Sequence, residues 1–226
     1  MSSRRRSLGV IAAIVCGAVC MTSCSHAIND DGNDITNPLG HNPGIQTHIL
    51  QVTASTTDIG VGQGASITAT YDGVVLASNV PGGGPAITVS DPSVIGCCEL
   101  AAFAYSVGKA RWTATYGQST AFIDFSVHAQ NGISAILYPL PTPSGMPTWT
   151  PPGGVTVSAG STIMFELLKT GLVSHNVVFD AVPGAPDAIT QNGFTTSANR
   201  VFSTPGVFTF TCTIHGETGM VNVVAQ

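Results

Sequence analysis

Residues 66–71, 87–90, 111–116 and 121–127 alternate apolar with polar side chains at a period of two. Successive strand side chains point to opposite faces, so each stretch reads as a strand with one buried face. The same reading applies to 133–138, 155–159, 162–168, 175–179, 200–203, 207–212 and 220–224. Glycine (26) and proline (14) punctuate these stretches, while charged residues make up only 8% of the chain. That combination excludes a helical bundle and predicts an all-β protein, two β-sandwich domains in tandem over 46–129 and 133–226. Residues 127–133 form a short joint between them. Six prolines between Pro139 and Pro152 make that segment a loop or an edge crossing, because proline cannot donate to a central ladder.

The N-terminus is built differently. Arg4, Arg5 and Arg6 precede an apolar run over 8–21, the charged and apolar regions of an export signal. The run is short of the roughly 20 residues a permanent membrane helix needs. Met21, Thr22 and Ser23 ahead of Cys24 resemble a bacterial lipobox, which implies a signal over 1–24 and a lipid anchor on Cys24. Residues 25–45, rich in Asn, Asp, Gly and Pro, read as a disordered tether. The expected location is extracytoplasmic, in the periplasm or at the cell surface, attached to a membrane by its N-terminal lipid. Without the three arginines, four cationic side chains face twelve acidic ones, which excludes nucleic acid as a partner. Of the remaining cysteines, adjacent Cys97 and Cys98 are candidates for a vicinal disulfide or for small buried residues.

Cys212 carries the chemistry. In 207–212 the aromatics alternate with threonines, so Phe208, Phe210 and the Cys212 sulfur share the core-facing side. His215 follows three residues later, and Met220 five after that; His175 lies upstream at a strand start. Two imidazoles, a thiolate and a thioether are the donors of a trigonal copper site with a weak axial ligand. Zinc prefers four strong donors and rarely recruits methionine. A multicopper enzyme needs paired histidines, whereas His26, His41, His48 and His128 stand apart from one another. There is neither a Ser-His-Asp pattern nor a phosphate loop, so the chain is expected not to be an enzyme.

Residues 174–179, Ser-His-Asn-Val-Val-Phe, followed by Phe-x-Phe-x-Cys-x-x-His-x-x-x-Gly-Met, are similar to plastocyanin and its cupredoxin relatives. The resemblance spans 133–226 and implies a Greek-key cupredoxin sandwich holding one mononuclear type 1 copper. By resemblance His175, Cys212 and His215 are the strong ligands and Met220 the weak axial one, while Asn176 ties the two ligand loops together by hydrogen bonds. The implied function is one-electron transfer between a redox donor and acceptor, such as a cytochrome or a membrane oxidoreductase. Thr211, Ile214 and Ser174 replace a tyrosine and two prolines of the plastocyanin pattern, and Glu217 puts a charge into the ligand loop. A plant-type docking surface is therefore not expected. Residues 61–63, 67–70, 91–94 and 108–117 resemble the bacterial Ig-like group 2 domain, which implies a spacer over 46–129. The alternative reading is a copper-sequestering or surface interaction lipoprotein in which the metal is cargo or structural.

Overall fold

The structure is a computed structural model that describes residues 48–77, 83–97, 99–141, 147–168, 174–190 and 195–226. The expected signal, the Cys24 lipidation site, the 25–45 tether and Cys98 lie outside the described residues. The N-terminal half holds β1 (Leu50–Ala54), β2 (Asp58–Gly60), β3 (Gly64–Tyr71), β4 (Val74–Val75), β5 (Ala86–Val89), β6 (Ile95–Cys97), β7 (Ala101–Ala104), β8 (Gly108–Tyr116) and β9 (Ser119–His128). The C-terminal half holds β10 (Ala135–Pro141), β11 (Pro147–Thr150), β12 (Val155–Ser158), β13 (Ser161–Leu168), β14 (Asn176–Phe179), β15 (Ile189–Thr190), β16 (Thr195–Phe202), β17 (Gly206–Thr211) and β18 (Thr218–Val224). Among the described residues there is no helix.

Four sheets result. Strands β1-β3-β7-β6, with β4 on β3, face β2-β9-β8-β5; the other two sheets run β11-β10-β13-β16 and β12-β18-β17-β14-β15. Each pair encloses its own core. Trp112, Phe125, Ile59 and Ile95 are fully buried in the first, and Phe165, Phe202, Phe208, Phe210 and Leu137 in the second. The period-two pattern dictates this: in β8, Ala110, Trp112 and Ala114 are buried while Lys109, Arg111 and Thr115 are exposed. On the exposed face Arg111 pairs with Asp124 of β9 at 2.7 Å and covers the Phe122 ring. Hydrogen bonding to that guanidinium holds the Asp124 carboxyl below its ordinary value.

The joint is a tight turn rather than a loose linker. Asn131 and Gly132 have φ of 51° and 79°, the left-handed pair of a type I′ hairpin, and Gln130 and Ile133 exchange backbone hydrogen bonds across it. Beyond the turn, Val107 N–H donates to the Ser134 carbonyl and Ile136 N–H to the Tyr105 carbonyl. Ile136 is itself buried in the first core. Pro139 and Pro141 lie in a paired strand rather than in the loop or edge crossing expected: β10 meets β13 only through Ala135–Leu137, and beyond it the prolines pair with edge strand β11, while residues 142–146 lie outside the described residues. There Trp149 turns inward, its ring 4.9 Å from that of Phe210. Cys97 ends β6, partly buried.

Glu166 in β13 is half buried, and desolvation raises its carboxyl above the ordinary value of 4.5. A raised carboxyl pKa means the fold favours the protonated form, so ionisation subtracts stability as pH rises through the carboxylate range. Glu166→Gln should therefore gain stability over the unmodified protein in urea titrations at about pH 7 and be neutral at about pH 3.5. An equal effect at both pH values would contradict the effect of burial on this carboxyl.

Candidate metal centre

The site forms where β14 and β17 run antiparallel. Val178 pairs with Thr211 and Phe179 with Phe210, so the inward parity of one strand continues into that of the other. On β17 that parity carries Phe208, Phe210 and, just past its end, Cys212, all 0–1% exposed. On β14 it carries Phe179, Val177 and, one step before the strand, His175, 1% exposed. Phe210 anchors the arrangement through edge-on contacts with Trp149, Phe165 and Phe179 at 4.9, 5.4 and 5.7 Å between centroids. Truncating such a buried phenylalanine typically costs about 3–5 kcal/mol.

The turn after Cys212 is closed by its own backbone. Cys212 N–H donates to the Glu217 carbonyl at 2.9 Å, and Gly216 N–H donates to the Cys212 carbonyl at 2.8 Å. Gly216 has a φ of 83°, a left-handed conformation that favours glycine. The closure folds His215 back over the cysteine. A clamp from β14 then fixes the turn: the Asn176 amide donates to Thr213 Oγ1 at 2.8 Å and accepts from Thr213 N–H at 2.8 Å. Asn176 thus joins the strand that carries His175 to the loop that carries Cys212 and His215.

Three donors converge. Cys212 Sγ lies 3.9 Å from His175 Nδ1 and 3.6 Å from His215 Nδ1, and the two imidazole centroids are 4.9 Å apart. A first-row ion held at about 2.3 Å by a thiolate and about 2.0–2.1 Å by imidazole, with donors roughly 120° apart, needs sulfur–nitrogen separations of about 3.8 Å. The spacing therefore fits one ion held by these three donors. His215 keeps 21% of its side chain exposed, beside Ile214 at 53%.

A fourth side chain joins them. Glu217 Oε1 is 2.7 Å from His175 Nδ1 and 3.6 Å from His215 Nδ1, with 5% of its side chain exposed. Ligand atoms of His175, Cys212, His215 and Glu217 all fall within 4.8 Å of one another. Sequence reasoning saw Glu217 only as a charge in the loop. The available signal was that it is the one carboxylate between Cys212 and Met220.

Met220 is placed by the register of its strand. Strand β18 starts at Thr218, so Gly219 pairs with Phe210, Met220 with Thr209 and Val221 with buried Phe208. Directly paired residues share a face, which assigns Met220 to the outer face with Thr209. It also lines a depression with Trp149, Asp180, Thr209, Phe210 and Thr218. The physical reason is Gly219: a Cβ there would overlap the Phe210 ring, reaching 2.7 Å from its Cε2. Only a glycine lets that ring sit against the start of β18. Elsewhere, His48 and His128 pair with Asp72 and Asp58 on the exposed surface, apart from the cluster. His26 and His41 lie outside the described residues.

The chain was compared with known proteins. Its sequence is 34% identical over 79 residues to plastocyanin of Prochlorothrix hollandica, matching 32% of this chain and 59% of that protein, under two thirds of its length. It is 35% identical over 82 residues to plastocyanin of Dryopteris crassirhizoma, matching 30% of this chain and 78% of that one. Among solved structures, pseudoazurin from Methylobacterium extorquens AM1 is 26% identical, with 39% of this chain and 72% of that chain covered at a TM-score of 0.32. A purple cupredoxin from Nitrosopumilus maritimus is 20% identical, with 40% of this chain and all of that one covered at a TM-score of 0.30. No protein-family profile matches the chain.

Two substitutions test the scaffold. Gly219→Ala forces the Phe210 ring aside and should cost about 1–3 kcal/mol in urea unfolding, as overpacking does; a change below about 0.5 kcal/mol, the range of neutral surface substitutions, would contradict the register. Asn176→Ala removes two hydrogen bonds and should cost about 1–3 kcal/mol, with faster hydrogen exchange at the Thr213 amide. Unchanged exchange there would mean that the clamp does not hold the loop.

Proposed function

The chain belongs to the plastocyanin family, and from that premise we propose that it is an extracytoplasmic blue-copper protein passing single electrons between redox partners, without substrate turnover. The observation that carries the reading is the convergence of His175 Nδ1, Cys212 Sγ and His215 Nδ1 around one ion-sized gap. In this reading those three residues hold one mononuclear copper. The bound ion supplies a one-electron couple between Cu(II) and Cu(I).

The chain's own residues account for how that couple would run quickly. Imidazole and thiolate would suit such a couple, the soft sulfur favouring Cu(I) and the nitrogens accommodating either state. The ligands are held by packing, by Asn176 and by the closed turn, so little rearrangement accompanies the electron. Burial of His175 and Cys212 excludes water from two donors, while His215 reaches the surface beside Ile214. A partially exposed ligand beside an exposed apolar side chain supports a small, transient docking interface. With the first β-sandwich as an Ig-like spacer and Cys24 as a lipid anchor, the copper end would stand clear of a membrane within reach of a cytochrome or oxidoreductase.

Loading the purified chain with Cu(II) should produce an intense thiolate-to-copper charge-transfer band, and Cys212→Ser should abolish it. Absence of the band, or its survival in Cys212→Ser, would contradict the proposed function. Survival of the band in a Met220 variant bears on the fourth donor alone.

A further inference from the structure

Resting on the copper reading above, we propose that the Glu217 carboxylate is the metal's fourth donor, in the role that the sequence pattern gives to the Met220 thioether. Glu217 sits in the turn that closes the site, and its backbone carbonyl is pinned by the Cys212 N–H. Its Oε1 contacts both Nδ1 atoms that flank the Cys212 sulfur. Its Oε2 is buried and has no hydrogen-bond partner among the described residues. An orphaned carboxylate oxygen inside a protein requires an explanation, and here it belongs to a carboxylate whose other oxygen stands beside two imidazole donors.

A purely structural role, accepting a proton-bearing Nδ1 of His175, accounts for Oε1 alone. It also disappears when the ion binds. A nitrogen that gives its lone pair to a metal carries no hydrogen, so loading both imidazoles through Nδ1 removes the hydrogen bond that Glu217 receives. A buried carboxylate stripped of its partner is strongly unfavourable. The ion itself is the positive charge then available within reach, so the carboxylate turns onto it. The register pairs Met220 with Thr209 on the outer face, whereas the Glu217 carboxylate already stands beside both imidazoles.

The exchange of donor changes the redox balance. Thioether sulfur is soft and favours Cu(I), whereas carboxylate is a hard anionic oxygen. Thiolate and carboxylate together neutralise Cu(II) but leave Cu(I) with a surplus negative charge, so Glu217 holds the couple toward the oxidised ion.

The test loads the full chain with Cu(II) alone and compares it with E217Q, E217A and M220L by absorption, electron paramagnetic resonance and redox titration. Removing the carboxylate charge should favour Cu(I) at least tenfold, an upward shift of about 59 mV or more for one electron, and should alter both the charge-transfer bands and the copper hyperfine splitting. M220L should leave all three readouts in place. Unchanged spectra and potential in E217Q and E217A, or the shift appearing in M220L instead, would overturn the proposal while the copper reading stands. If the unmodified protein shows no thiolate-to-copper band, both fall together. Should the Glu217 variants fail to fold, Co(II) loading of the unmodified chain decides by proton NMR. Hyperfine-shifted Glu217 side-chain resonances are expected; a shifted Met220 methyl with an unshifted Glu217 would overturn the assignment.

Discussion

The antiparallel pairing of β14 with β17 is the constraint on which the rest of the site depends. It is a short contact, Val178 with Thr211 and Phe179 with Phe210, yet it fixes the phase of both strands. A slip of one residue would turn every side chain to the other face, carrying His175 outward and leaving Cys212 alone in the core. What prevents the slip is the aromatic cluster around Phe210, in which Trp149, Phe165 and Phe179 meet its ring edge-on. Aromatic packing in the second core thus does the positioning that a metal-binding loop cannot do for itself.

From that pairing the donors follow in sequence. The inward face of β17 ends at Cys212, the inward face of β14 begins at His175, and the outward parity of Asn176 meets Thr213 across the gap. The turn closed between Cys212 and Glu217 then brings back His215 and the Glu217 carboxylate. Rigidity and geometry therefore have the same source: every donor is one covalent step from a paired strand or a closed turn. For one-electron chemistry this matters more than affinity, because ligands that move little cost little when the charge changes.

Much of this was legible in the amino-acid order, and the exceptions have physical causes. Alternation alone placed Phe208, Phe210 and Cys212 on one face, since β17 is regular for six residues. The prolines at 139 and 141 marked the limits of central pairing because they lack an N–H. His175 precedes a strand of four residues, too short to reveal its own phase; only the partner strand sets it. Strands such as β6 and β7, short and rich in small residues, carry little periodic signal. The position of Met220 depends on where β18 begins, which the contact between Gly219 and Phe210 decides across the sheet. The burial of Glu217 depends on two backbone hydrogen bonds inside the turn, and no spacing rule anticipates them. Long-range pairing, rather than local pattern, hides these features.

The central claim is that the donors are assembled by the protein before any metal arrives. Crystal structures of the metal-free, Cu(I) and Cu(II) forms test it most directly. The account predicts that His175, Cys212 and His215 keep their rotamers, with sulfur–nitrogen separations close to the 3.9 and 3.6 Å of the present structure. A metal-free form in which Cys212 or His215 swings out of the cluster, closing only around copper, would contradict it.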